Sequence, residues 1–177
     1  MTPADRAPAT PAPQPDVERI VAAALAEDAP WGDVSSEAFV PEQARITARV
    51  VAREAGVLSG TNALEAAFRL VDPAVSVTLH LADGADLSPG AVVAEVAGPA
   101  RSVLRAERVA LNLVQRQSGI ATTTAAHVAA ARAGGAPTSL RKKLASCSRI
   151  DARSGSAAAN VACGRARGTR SLPSNSA

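Results

Sequence analysis

The side chains that could do chemistry here are mostly arginines, and their spacing is the first thing to weigh. Glu107, Arg108, Asn112 and Arg116 interrupt an apolar series, Val103, Ala106, Ala110, Leu113 and Val114, whose spacing of three, four, three and one suits one helix face. On residue type alone those four polar residues are the solvated side of an amphipathic helix. A second group, Arg45, Thr47, Arg49 and Arg53, alternates with Ile46, Ala48, Val50 and Ala52. Three arginines on one strand face could hold an anion or a nucleic acid. They lack the interleaved aromatic residues on which bases stack, so a solvated strand face is favoured. His80 alternates with Leu79 and Leu81 and points away from the core. Cys147 and Cys163 have neither the close spacing of a zinc-ligand pair nor a later cysteine or histidine to complete a site, and read as free thiols.

The elements that must position these residues follow from periodicity and breakers. Asp16 is expected to cap a first helix after Pro15, with Val17, Ile20, Val21, Ala24 and Leu25 on its apolar stripe and Pro30 at its end. Arg45 to Arg53 reads as a half-buried strand and Glu54 to Gly60 as a glycine-punctuated turn. Thr61 is expected to cap a helix that faces Leu64, Ala67, Phe68 and Val71 inward. Val75 to Leu81 and Ala91 to Val96 are further strands, separated by turns at Asp83-Gly84 and Ser88-Pro89-Gly90. Ser118-Gly119 is expected to break the arginine-bearing helix, with a second helix over residues 120–133 that Gly134-Gly135 stops. The fold class is α+β: an N-terminal sandwich domain followed by a further helix, with disordered ends.

Composition divides the chain. Residues 1–15 hold five prolines and few bulky apolar residues, so they are expected to be a disordered leader. Residues 16–117 read as the α+β domain and 118–138 as the start of the next. Residues 139–177 carry eight lysines or arginines against one acid, a net +7, whereas residues 1–138 hold eleven against fifteen, a net −4. That tail is expected to be disordered and to bind phosphate at most without specificity, so no specific nucleic-acid partner is expected. No run of about 18 apolar residues and no signal-type apolar core is present, and the expected location is the cytoplasm. The turns of residues 83–98 are similar to those of biotinyl or lipoyl carrier domains, but a carrier needs a lysine on a hairpin tip. Residues 1–138 have no lysine, which excludes that function.

Ala106-Glu107-Arg108, Ala110-Leu111-Asn112, Gln115-Arg116 and Ser118-Gly119-Ile120-Ala121-Thr122 together resemble the domain junction of quinolinate phosphoribosyltransferases, also called carboxylating nicotinate-nucleotide pyrophosphorylases. Glu27-Asp28, Gly32-Asp33-Val34-Ser35, Arg53-Glu54-Ala55-Gly56-Val57-Leu58-Ser59-Gly60, Asp83-Gly84 and Pro89-Gly90 extend the resemblance over roughly residues 16–135. It implies an enzyme of NAD biosynthesis, a pentosyltransferase that joins quinolinate to phosphoribosyl pyrophosphate and releases pyrophosphate and carbon dioxide to give nicotinate mononucleotide. It implies, too, that the helix over residues 120–133 is the first of an α/β barrel domain. It also implies a homodimer, in which the arginine of the Glu-Arg pair reaches into the neighbouring subunit's site. On this chain that is Arg108, assigned to the quinolinate carboxylates. Mg2+ is expected alongside the pyrophosphate, since a hard cation neutralises the charge developing on the leaving group.

The family's catalytic residues cannot be placed on this chain. Where the family shows Asp-Thr-Arg-Lys-Thr, then His-Arg and Lys-Asp-Asn-His, the sequence runs through Arg141-Lys142 without those neighbours. Such a loss of pattern after an ordered match is what a shifted reading frame in a GC-rich gene produces. The alternative expectation is therefore a catalytically inactive fragment that keeps only a dimerisation or interaction domain.

Overall fold

The structure, a computed structural model, describes residues 13–134 and the backbone of residues 161–164. The chain forms α1 (Gln14–Asp28), α2 (Val34–Phe39), β1 (Arg45–Ala52), β2 (Gly56–Val57) and α3 (Thr61–Val71). There follow β3 (Ser76–Leu79), β4 (Asp86–Leu87), β5 (Val92–Pro99), α4 (Ala100–Ala133) and β6 (Val161–Gly164). One sheet runs β3-β5-β1-β6 and a short ladder pairs β2 with β4, all antiparallel.

The sheet forms as the alternation predicts. Ala48, Val50 and Ala52 are buried, Ile46 packs at the core's edge, and Arg45, Thr47 and Arg49 face solvent. Arg49 lies directly opposite Glu95 on β5, with Nε 3.3 Å from the carboxylate. Both ends of this pair are exposed, so it adds only a few tenths of a kcal/mol or so to the sheet. His80 is exposed, as expected.

Helices α3 and α4 cover the sheet's inner face. Leu58, Leu64, Val93, Val96 and Val114 are its fully enclosed anchors. Ala106, Ala110, Val114 and Ser118 repeat every fourth residue on α4 and are completely buried. These small side chains let α4 approach Ala63, Ala66 and Ala67 of α3, as packing of one ridge into a groove requires.

Three local expectations are corrected. Ser118-Gly119 does not interrupt the helix, because α4 is continuous over 34 residues. The Ser118 hydroxyl accepts a bond from the Ser59 N–H and donates to the Ser59 carbonyl, while Thr122 Oγ1, one turn on, accepts from the Val57 N–H. Small polar residues here clamp a loop against the helix. Thr61 is not the cap of α3. Gly60 holds that position at φ +98°, where a side chain would be strained and its Cβ would meet Gln117 at 2.9 Å. The capping oxygens come from Asp83, which accepts from the Gly60 and Thr61 N–H groups at 3.2 and 3.0 Å. Helix α1 begins at Gln14, so Asp16 sits in its first turn, and Ile20 is 52% exposed instead of lying on the packed stripe with Val17 and Val21.

The leader expected over residues 1–15 lies outside the described residues up to position 12. So does the tail, except that the backbone of Val161–Gly164 extends the sheet beside Arg49–Ala52. Cys147 lies outside the described residues.

Candidate functional site

The corner between the end of α1, helix α2 and the outer face of α4 gathers the polar residues that the core does not use. Helix α2 is only six residues long, too short to persist by its own hydrogen bonds. Side chains hold both of its ends. Asp33 accepts from the Ser36 N–H at 3.1 Å and from the Ser36 hydroxyl, which is an N-cap. Arg101, reaching from α4, donates to the carbonyls of Val40 and Glu37 at 2.9 and 3.0 Å and so satisfies the groups left open at the other end. The sequence reading contained no α2, since one and a half turns show no periodicity.

From Arg101 the helix presents Arg105, Arg108, Asn112 and Arg116 at successive intervals of four, three, four and four residues, all along one side. Arg108 has a side chain 73% exposed, and its Nη1 donates to Asp28 Oδ1 at 3.3 Å. Asp28, the last residue of α1, is the recessed partner at 23%. Arg105 and Arg116 are exposed. An open cleft of about 250 Å³ lies beside this row, lined in part by Asp33, Glu37, Arg101 and Arg105.

Electrostatics support the grouping. The Asp33 carboxyl titrates below its usual range, chiefly because the Ser36 hydroxyl and then the Ser36 N–H stabilise its charged form, with Arg108 and Arg105 adding favourable field. Asp72, hydrogen-bonded to the cleft-lining Ser102, is also lowered, first by the Ser102 hydroxyl and then by the Ala74 N–H. Such a corner can bind and orient an anion. It offers no obvious nucleophile with an adjacent base: the described residues include no lysine or cysteine side chain, and His80 and His127 are exposed away from one another in sequence and element. No group of three histidine, cysteine, aspartate or glutamate side chains among the described residues could hold a metal ion.

Around the same corner Trp31, Val34 and Phe39 are 89%, 66% and 87% exposed. Two of the chain's three aromatic residues thus lie on the surface, an unusual use of large apolar side chains. Of the predicted site residues, Arg108 is placed here. Asp28, Asp33, Arg101 and Arg105 carried no role in the sequence reading. The repeat of arginine at 101, 105 and 108 was the signal that could have pointed to two of them.

The described residues thus form an α+β domain whose long helix turns a buried small-residue face inward and an arginine row outward. Direct comparison matches residues 33–118 to the quinolinate phosphoribosyl transferase N-terminal domain. The chain is 44% identical over 98 residues to a probable carboxylating nicotinate-nucleotide pyrophosphorylase of Bacillus subtilis, a match covering 55% of this chain and 34% of that protein. The chloroplastic nicotinate-nucleotide pyrophosphorylase of Oryza sativa is 40% identical over 129 residues, 71% of this chain and 35% of the relative. The crystal structure of NadC from Streptococcus pyogenes superposes with a TM-score of 0.67 at 37% identity, covering 69% of this chain and 44% of that one. The chain spans about a third of the length of these curated relatives.

Proposed function

We propose that this chain supplies the N-terminal domain's share of a quinolinate phosphoribosyltransferase site, with Arg108 binding the carboxylates of quinolinate in a neighbouring subunit. The observation that carries the reading is the state of Arg108: an arginine at the family's motif position, 73% exposed and held by one long bond, with most of its donors free. Arginine's planar fork suits a carboxylate, and a dicarboxylate asks for more than one such fork. The reaction would consume quinolinate and phosphoribosyl pyrophosphate, with Mg2+ accompanying the pyrophosphate. A homodimer would bring Arg108 to the site, and exposed Trp31, Val34 and Phe39 beside it are apolar surface for such an interface. The cytoplasm is the compartment attached to this reading. No helix among the described residues is long and apolar enough to cross a membrane.

The test restores the rest of the enzyme. Residues 13–134 are placed in the Bacillus subtilis relative in exchange for its corresponding segment, and Arg108→Ala is compared with the parent chimera. Loss of one charge-assisted contact predicts a KM for quinolinate raised about 10- to 100-fold. The unfolding free energy should stay within about 0.5 kcal/mol of the parent's, since the side chain is exposed. An unchanged KM with lowered stability would refute the assignment of Arg108.

A second reading is favoured by the same exposed aromatic corner and by the absence of lysine from residues 13–134. By itself the chain would then be an inactive interaction module. The purified chain would convert no quinolinate, yet would sediment as a dimer or bind the Bacillus subtilis relative. Turnover by the chain alone would refute this second reading.

A further inference from the structure

We propose that Asp28 is a positioning residue for Arg108, holding the guanidinium in the direction from which it meets a substrate carboxylate; this rests on the reading of Arg108 given above. Asp28 closes α1 directly after Glu27, at the negative end of the helix dipole, and the last turn contains no basic residue. Two carboxylates there work against α1. The pair with Arg108 does not repay that cost, because an ion pair with one partner so exposed contributes little to stability. An acid that weakens its own helix and touches an exposed arginine has its effect on the arginine.

The geometry gives the direction of that effect. Asp28 is the fixed end, recessed at the junction of α1 and α4, while Arg108 is the free one. Their contact uses Nη1 alone and leaves Nη2 and Nε to form the two parallel bonds of a carboxylate fork. Asp33, whose charged form Arg108 also favours from a distance, is engaged by the Ser36 N–H and hydroxyl and does not compete for the guanidinium. Asp28 therefore orients the guanidinium without saturating it. Removing this acid would also relieve repulsion of an incoming anion, an opposing effect. That effect is weak because an anion would meet the arginine on its water-exposed side, where charges are strongly screened, whereas a released arginine regains several rotamers.

Two measurements test the assignment. In the full chain, 15N relaxation of the Arg108 Nε–H should show a lower order parameter in Asp28→Ala than in the wild type. Asp28→Asn, which keeps an acceptor oxygen, should lie between them. In the restored chimera, Asp28→Ala should raise the KM for quinolinate about three- to tenfold, the scale of one or two rotamers refrozen on binding, with kcat within about twofold. Asp28→Asn should recover much of the loss. In an Arg108→Ala background Asp28→Ala should change nothing further, since the acid acts only through the arginine. If Arg108→Ala raises KM while Asp28→Ala leaves it unchanged or lowers it, the positioning role is overturned and the function stands. An equal effect of Asp28→Ala with and without Arg108 also overturns it. If Arg108→Ala itself leaves KM unchanged, the function reading fails first, and the relaxation data alone then report whether Asp28 orders the arginine.

Discussion

The inner and outer faces of α4 are built by opposite rules. Inward, Ala106, Ala110, Val114 and Ser118 are fully buried, and the one polar member has its hydroxyl engaged by Ser59 as both donor and acceptor. Outward, Arg101, Arg105, Arg108 and Arg116 run along a surface where Trp31 and Phe39 are exposed and an acid sits at the wrong end of α1. Every choice on the inner face is the one that lowers the free energy of the folded chain. On the outer face several choices raise it, and they cluster where Arg108 lies. Violations of local rules gathered at one corner are what a site built for binding shows.

That contrast is an energetic claim, and the largest break it can suffer is on the inner side. Leu64 has no exposed surface and lies in the core that α3 and α4 enclose with the sheet. Leu64→Ala should cost about 3 kcal/mol, within the usual range for truncating an enclosed leucine, read from urea unfolding of the wild type and variant. A loss below about 1 kcal/mol would mean that this face is loosely packed, and the comparison would lose its first half.

Ser118→Ala sharpens the claim, because it removes no hydrophobic surface. The substitution leaves the Ser59 N–H and carbonyl without the hydroxyl that engages both. An expected loss of about 1 to 3 kcal/mol follows from stranding buried backbone groups. Hydrogen exchange of the Ser59 amide should accelerate with it. If stability is unchanged, the loop from Leu58 to Gly60 is held by packing alone.

The two faces also differ in how far the sequence revealed them. Periodicity gave the apolar stripe of α4 and the alternation of β1, since a residue's burial there follows from its place in its own element. It failed wherever a distant residue decides. Ser118-Gly119 has the composition of a joint, yet Ser59, 59 positions away, turns the serine into a clamp. Thr61 is a good cap by type, but Asp83 supplies the oxygens. Helix α2 depends on Arg101, more than 60 residues on, for its C-terminal bonds, so nothing in its own six residues announces it. On residue pattern Arg108 was only part of a solvated face, and the structure agrees that it is exposed. The role proposed for it came from the family motif and not from residue pattern, because binding chemistry in a composite site depends on groups that its own helix does not contain.

The smallest expected effect is the most telling for the outer face. Trp31 and Phe39 have almost all of their surface in water, so replacing both by serine removes few contacts from the folded chain. Trp31→Ser with Phe39→Ser should change the unfolding free energy of the isolated chain by no more than about 0.5 kcal/mol. The same pair on the inner side, were it possible to truncate two aromatics there, would cost several times as much. Dilution of the chain followed by sedimentation separates the two places where the aromatics could act. Should the double variant be equally stable but fall apart at concentrations where the wild type stays associated, the aromatics serve a partner and the corner is an interface. A large loss of stability in the monomer would show that they pack against this chain, and the division between a face built for folding and a face built for binding would not hold.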